Sequence, residues 1–513
     1  MGVFSLKRRI KRRNQEVKDK SLQDENYYEK NVTFIKEAFS YPENTDLTCR
    51  NIRLRDIYVD ATLFFVNGMV DLDEVQLHII KPLLEMKVVY EPEEELEPFL
   101  IGNVLSIKEA KVVKDQKELL KALIGGQTLL LIKDMNSAIS IATTSFEHRG
   151  IEHPQTENVI KGPMESFTES ASVNRSLIRK QLKNVELVTE ELTVGNHALQ
   201  TVSVMYIGSL VNEELLENVR DRISKIDVDA VQGLAILEQH IEERPYSLIP
   251  SILYSERPDR ACAFLNEGHV VLLMDNSPAC LVLPITFWGL FHTAEDYYHR
   301  WAFGNFIRLI RLFSLFIALL VPSLYIAISN FHIEMFPTDL LLAIAATRER
   351  VPFPAIVEVI MMEISFELIR EAGIRIPTPI GPTIGIVGAL ILGQAAVEAG
   401  IISPILVIVV AITGLASFAI PDISMNFTIR ITRFIILFFA ATMGFFGIGI
   451  FLVFAIAYAN NAKSFGVPFF SPLAPHTRSS KDMIVRPPVW KQWLRPFYVF
   501  PKEKVRGTEP RGK

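Results

Sequence analysis

The chain has 513 residues but only three cysteines, Cys49, Cys262 and Cys280. They stand far apart without paired or metal-ligand spacing, which excludes a disulfide framework and a cysteine zinc site and suits a reducing compartment. The short motifs that hold phosphates or activate nucleophiles are also missing: there is no GxxxxGK[ST] loop, no HExxH and no GxSxG. The histidines are scattered, so neither an enzymatic role nor a cofactor is expected, and no nucleic acid is expected as a partner. An apolar leader is lacking too. The opening "MGVFSLKRRIKRR" carries six Lys or Arg between positions 7 and 13, and Leu6 stands where myristoylation needs Ser or Thr. The N-terminal part is therefore expected to stay on the cytoplasmic side.

What the chain does have is long apolar runs, all in one place. Residues 1 to about 275 are charged and mixed, whereas 280 to 460 hold "LIRLFSLFIALLVPSLYIAIS", "IGIVGALILGQAAV", "ISPILVIVVAITGLASFAIP" and "FIILFFAATMGFFGIGIFLVFAIAYA". Several of these approach or exceed the ~18–20 apolar residues needed to cross a bilayer. The expected class is a soluble α/β part followed by an α-helical transmembrane domain of about five hydrophobic segments.

The soluble part reads as a duplication. "LFFVNGMVDLDEVQLHIIKPLL" and "VMYIGSLVNEELLENVRDRI" each show strand, glycine turn, acidic helix start and amphipathic helix, and "GQTLLLIKDMNSAISIA" and "GHVVLLMDNSPACLVLP" each show strand, turn, strand. Gly68 to Gly126 is 58 residues and Gly208 to Gly268 is 60. The expected organisation is a basic disordered tail (1–30), α/β lobe 1 (31–160), a linker (161–189), α/β lobe 2 (190–283), the transmembrane domain (284–460) and a basic cytoplasmic tail (461–513).

Inside the apolar third, "VPFPAIVEVIMMEISFELIREAGIRIPTPIG" is rich in charge. On a helix starting near Pro354, Glu363, Glu367 and Glu371 share one face with Ile360 and Ile364, while Ala355, Val359, Met362, Phe366 and Ile369 form the opposite, packing face. An ionisable group at membrane depth faces water or a partner. In a symmetric ring the carboxylates would attract cations and the isoleucines would close a pore by dewetting, so Ile360, Glu363, Ile364, Glu367 and Glu371 are the candidate pore-lining residues. The alternative is ion pairing with Arg348, Arg350, Arg370 or Arg375. These four, with the break at Pro352 and Pro354, are the candidates for gating or coupling. Trp288, Tyr297, Tyr298 and Trp301 read as an aromatic anchor at the membrane interface, and Gly444, Gly447 and Gly449 as close helix packing in the last span.

"GPMESFTES" followed by "NRSLIRK", then "YSERPDRA", "MDNSPACLVLP", "AEDYYHRW", "ATRERVPFPA" and "FGVPFFSPLAP", resemble blocks of the GerA family, the A subunits of bacterial spore germinant receptors. The resemblance implies a multi-pass protein of the spore inner membrane that works with a transporter-like, nutrient-binding B subunit and a C-subunit lipoprotein. It also implies a homo-oligomer, with five copies favoured, acting as a nutrient-gated channel for monovalent cations within membrane lipid. It favours the pore over ion pairing. The alternatives are the stage V sporulation AF-type companion channel and a secondary transporter.

From Lys463 onward there are eleven Lys or Arg against three Asp or Glu, so both ends are expected on the cytoplasmic, core side and the crossings even in number. With 338–376 as the segment that does not fully cross, "TIRITR" (Thr428 to Arg433) lands outside, against the positive-inside tendency.

Overall fold

Runs of β-branched and aliphatic residues build two five-stranded antiparallel sheets. The computed structural model describes residues 27–54, 59–85, 96–107, 109–133, 135–145, 153–349, 351–375, 391, 393–477, 479 and 482–508. The first sheet holds β1 (Leu47–Leu54), β2 (Val59–Val66), β3 (Ala110–Val113), β4 (Thr128–Ile132) and β5 (Ala138–Ile141), in the order β1-β2-β4-β5-β3. The second holds β6 (Leu187–Val194), β7 (Gln200–Ile207), β8 (Leu253–Ser255), β9 (Val270–Met274) and β10 (Cys280–Leu283), in the order β6-β7-β9-β10-β8. Strand for strand the two orders are the same.

Helices cover these sheets. Residues 27–38 form α1, Gln116–Ile124 α2, Ala171–Gln181 α3, Glu213–Ser224 α4, Leu234–Ile241 α5 and Pro258–Leu265 α6. The central strands β9 and β10 of the second sheet are apolar on both faces because both are buried, whereas the edge strand β6 carries Glu190 and Glu191. Val204, Tyr206 and Leu272 pack on α4 and α5, while Met205, Ile207 and Val271 pack on α3 and α6. Gly126 and Gly268 have φ of 80° and 93° two residues ahead of β4 and β9, where a side chain would strain the turn. The C-terminal segment wraps the second sheet: Phe465 and Val499 enter the core under α4, and Lys502 bonds Glu213 at 2.5 Å.

The apolar third contains α7 (Trp301–Phe331), α8 (Thr338–Arg348), α9 (Ala355–Arg375), α10 (Pro404–Phe418) and α11 (Ile423–Asn460). Among the described residues, α7 and α11 are long and apolar enough to cross a membrane. Most of the run "IGIVGALILGQAAV" lies outside the described residues.

The 38 residues of α11 do not run straight, because Gly444 has φ 59° and ψ −138°. Twelve residues apart, Phe439 and Phe451 would be about 18 Å apart along a straight helix. Their rings are 5.7 Å apart. Thr428 Oγ1 bonds Leu248 O, and Tyr458 OH bonds Ser247 Oγ at 2.9 Å, so both arms return to one loop of the second-sheet domain. α11 is therefore a helical hairpin folded at Gly444. Of the three expected packing glycines, Gly447 packs against the Phe439 backbone and Gly444 against Phe331 of α7, Gly444 being the fold point as well; Gly449 is the correction, with nothing within 4 Å among the described residues. The hairpin also moves "TIRITR", which begins at the sheet-domain end of α11.

Candidate functional site: the acidic helix and the junction under the second sheet

Pro354 ends the preceding irregular segment, and the 21 residues of α9 follow from Ala355, about 31 Å of helix. Its packing face is the one expected: Ala355, Val359 and Met362 are buried with Tyr325 and Leu406, and Phe366 packs against Gly414 of α10. Its acidic stripe divides. Ile360, Ile364 and Glu371 are exposed, whereas Glu363 is fully buried and Glu367 half-buried.

The two inner glutamates meet arginines of α11. Arg433 Nη2 lies 2.8 Å from Glu363 and 2.9 Å from Glu367, and Arg430 Nε donates to Glu367 at 3.1 Å with a second Arg430–Glu367 contact beside it. Arg370, a candidate partner, is 3.9 Å from Glu367 and instead donates to Ser417 Oγ at 2.6 Å between the rings of Phe366 and Phe418. Arg348 is 3.9 Å from Glu358, which accepts from the Ser403 backbone. Pro352 and Pro354 are exposed; Arg350 and the Arg375 side chain lie outside the described residues. Arg430 and Arg433 were not among the candidates, because their signal was read only as a charge misplaced in topology.

A second polar centre joins the second sheet to α7. The Asp296 carboxylate accepts from Arg308 Nε at 3.0 Å, from Arg311 Nη1 at 3.0 Å and from Thr293 Oγ1 at 3.0 Å. Burial alone would raise its pKa, but hydrogen bonds and charge from Arg311 and Arg308 more than offset this and bring it down to about 2. Arg308 also meets Asp482, which accepts from Tyr297 OH at 2.5 Å, and Arg486 donates to Asp296 O at 2.7 Å. Burial pushes the pKa of His292, beside this centre, down to about 4.

The linker reaches the same place. Gly162 has φ 134°, and a Cβ there would lie 2.5 Å from the Tyr298 ring, whose hydroxyl bonds Asp259 at 2.7 Å. Arg257 pairs with Asp259 at 2.8 Å and donates to Pro163 O at 2.9 Å, and Arg260 pairs with Glu157. Thus "GPM", "SERPDR" and "AEDYYHRW" form one joint. Of the four expected anchors, Trp288 is buried in this joint, Tyr298 is held under Gly162, and Trp301 stays half exposed while donating to Arg486 O at 2.7 Å. Tyr297 is partly exposed beside Arg308 and Arg486.

Two sheets of one strand order, with a buried ionic centre fixing the second to helices long and apolar enough to cross a membrane, define the class: a large sheet domain attached to a helical region consistent with a membrane protein. The model of the Bacillus/Clostridium GerA spore germination protein matches residues 33–498. Spore germination protein KA of Bacillus subtilis is 36% identical over 93% of this chain and 87% of its own length. Spore germination protein GerLA of Bacillus cereus is 35% identical over 92% and 95%. An uncharacterized membrane protein of Bacillus subtilis, YfkQ, is 38% identical over 85% and 84%. Among solved structures, the N-terminal domain of the A subunit of the Bacillus megaterium germinant receptor GerK3 matches with a TM-score of 0.39 and 24% identity, over 50% of this chain and 94% of that one. The chain belongs to the GerA family, the A subunits of bacterial spore germinant receptors.

Proposed function

We propose that this A subunit forms, with further copies of itself, a nutrient-gated channel for monovalent cations in the spore inner membrane. In this reading it is not an enzyme, and it works with a transporter-like B subunit that receives the nutrient and a C-subunit lipoprotein. The observation that carries it is the uncovered half of the α9 stripe, where Ile360 is 38% and Ile364 48% exposed beside the exposed Glu371. A single such helix cannot enclose water; a ring of them can.

The matching strand orders support two lobes of one plan, and the return of both α11 arms to the sheet domain supports both chain ends on one side, the core side. The Lys and Arg of the C-terminal segment then obey the positive-inside tendency, as does "TIRITR".

The test is potassium release from liposomes holding the purified A–B–C complex. Glu371→Gln is expected to lower nutrient-evoked flux, and Ile364→Ala to let ions pass without nutrient, because smaller side chains wet more readily. A strictly monomeric A subunit in a working receptor would end the reading.

A further inference from the structure

We infer that Arg430 and Arg433 clamp the α9 carboxylates in the resting state, and that motion of the second-sheet domain releases them. The inference rests on the channel reading above and adds the element that regulates it.

Three observations converge. First, the charges that would serve a cation path are occupied within the chain: one guanidinium, Arg433, bridges Glu363 at 2.8 Å and Glu367 at 2.9 Å, and Arg430 holds Glu367 from the other side. Second, the clamp is poorly satisfied. Among the described residues neither Glu363 oxygen has a well-directed hydrogen bond, and Arg433 Nε is buried without an acceptor. A buried carboxylate held mainly by charge, without directed bonds, is stabilised less than a fully bonded pair, so exchange for water or a hydrated cation is within reach. Arg370 does not relieve this, being turned to Ser417 and two rings.

Third, the clamp is wired to the sheet domain. Thr428 bonds Leu248 O at the sheet-domain end of α11, two residues before Arg430 and five before Arg433 on the same helix. Tyr458 fixes the other arm to Ser247 at 2.9 Å. A shift of the 247–248 loop therefore moves the two arginines directly. With them withdrawn, nothing holds the inner edge of the stripe: Ile360, Glu363, Ile364, Glu367 and Glu371 lie within an arc of about 100° on α9, so turning the helix as a rigid body by about a quarter turn presents the whole stripe to one side. Resting, the helix shows isoleucine with its inner acids neutralised; released, it shows the full acidic stripe.

The experiment uses the A–B–C complex in potassium-loaded liposomes with no nutrient added. Arg433→Gln and Arg430→Gln leave every glutamate in place, so each is expected to raise basal flux by roughly tenfold, within the range of coupled sites. Arg433→Lys, which keeps the charge, is expected to return flux toward the unmodified level. Arg430 is the more accessible of the two, with 17% of its side chain exposed, so its variant keeps the test alive where Arg433→Gln fails to accumulate. Ile364→Ala separates the two ideas. Leak from Ile364→Ala with none from either arginine variant overturns the clamp and leaves the channel standing. No leak from any of the variants overturns the channel reading itself. Reduced abundance without leak in both arginine variants shows a purely structural ion pair and also overturns the clamp.

Discussion

Asp296→Asn is the most direct probe of how the sheet domain is fixed to α7. The amide keeps the shape and removes the one acid that faces Arg311 among the described residues, leaving Phe291 O at 2.9 Å and Thr293 Oγ1 at 3.2 Å as its acceptors there. Arg308 keeps Asp482. One buried guanidinium is thus left without a counter-charge, a loss of about 3–5 kcal/mol. At about 2–4 °C per kcal/mol for a domain of this size, the melting temperature should fall by roughly 10 °C. The assay is thermal unfolding of the full-length chain in detergent at pH 7, with Asp296→Asn/Arg311→Gln expected to recover at least half of the loss.

The pH dependence gives the sign. Asp296 is lowered from an ordinary 3.8 to about 2, so its carboxylate stabilises the fold fully above the unfolded value and progressively less as pH falls toward 2. That contribution is about 2 kcal/mol. The gap between unmodified protein and Asp296→Asn should therefore narrow between about pH 4 and pH 2. A variant that melts within a degree or two of the parent at pH 7, or a gap constant with pH, would refute the reasoning.

Gly162→Ala should disturb the joint, because a Cβ at φ 134° meets the Tyr298 ring; lower abundance is expected, with partial recovery in Gly162→Ala/Tyr298→Ala, and a fully stable single variant would contradict the packing. Gly444→Ala should hinder folding of the α11 hairpin, since φ 59° is costly for alanine and the new atom would sit 3.0 Å from Phe331. Its measure is the yield of membrane-inserted protein, and a yield equal to the parent's would speak against the fold point.

Much of this was legible in the chain because it depends on period. The apolar face of α9 follows from the 3.6-residue repeat, and Ala355, Val359 and Met362 are buried where that repeat places them. The turns before β4 and β9 were legible because only glycine suits their φ values. The registers of the other two turns were not: Gly68 follows β2 by two residues and Gly208 follows β7 by one, so the 58- and 60-residue spacings compare unlike positions. The aromatic block around Trp288 misled for a different reason. Composition marks a belt at an interface, but it cannot tell which rings face lipid from those that close a joint, and here Gly162 and Asp259 claim Tyr298.

The hairpin of α11 was hidden because an apolar run of 38 residues looks the same straight or folded, and one backbone angle at Gly444 decides between them. That single angle also changes the meaning of two oddities in the apolar third. Read separately, the acids of α9 are offered only the arginines of their own segment, and the bases of "TIRITR" sit on the wrong side of a membrane. With α11 folded back on itself, both its arms end beside the sheet domain, and the first turns of its leading arm carry Arg430 and Arg433 against Glu367 and Glu363. Each set of charges is then the explanation of the other. Helical periodicity sorts the residues of one helix into faces, but which helix supplies the opposing charge is a tertiary fact, and no pattern within α9 contains it.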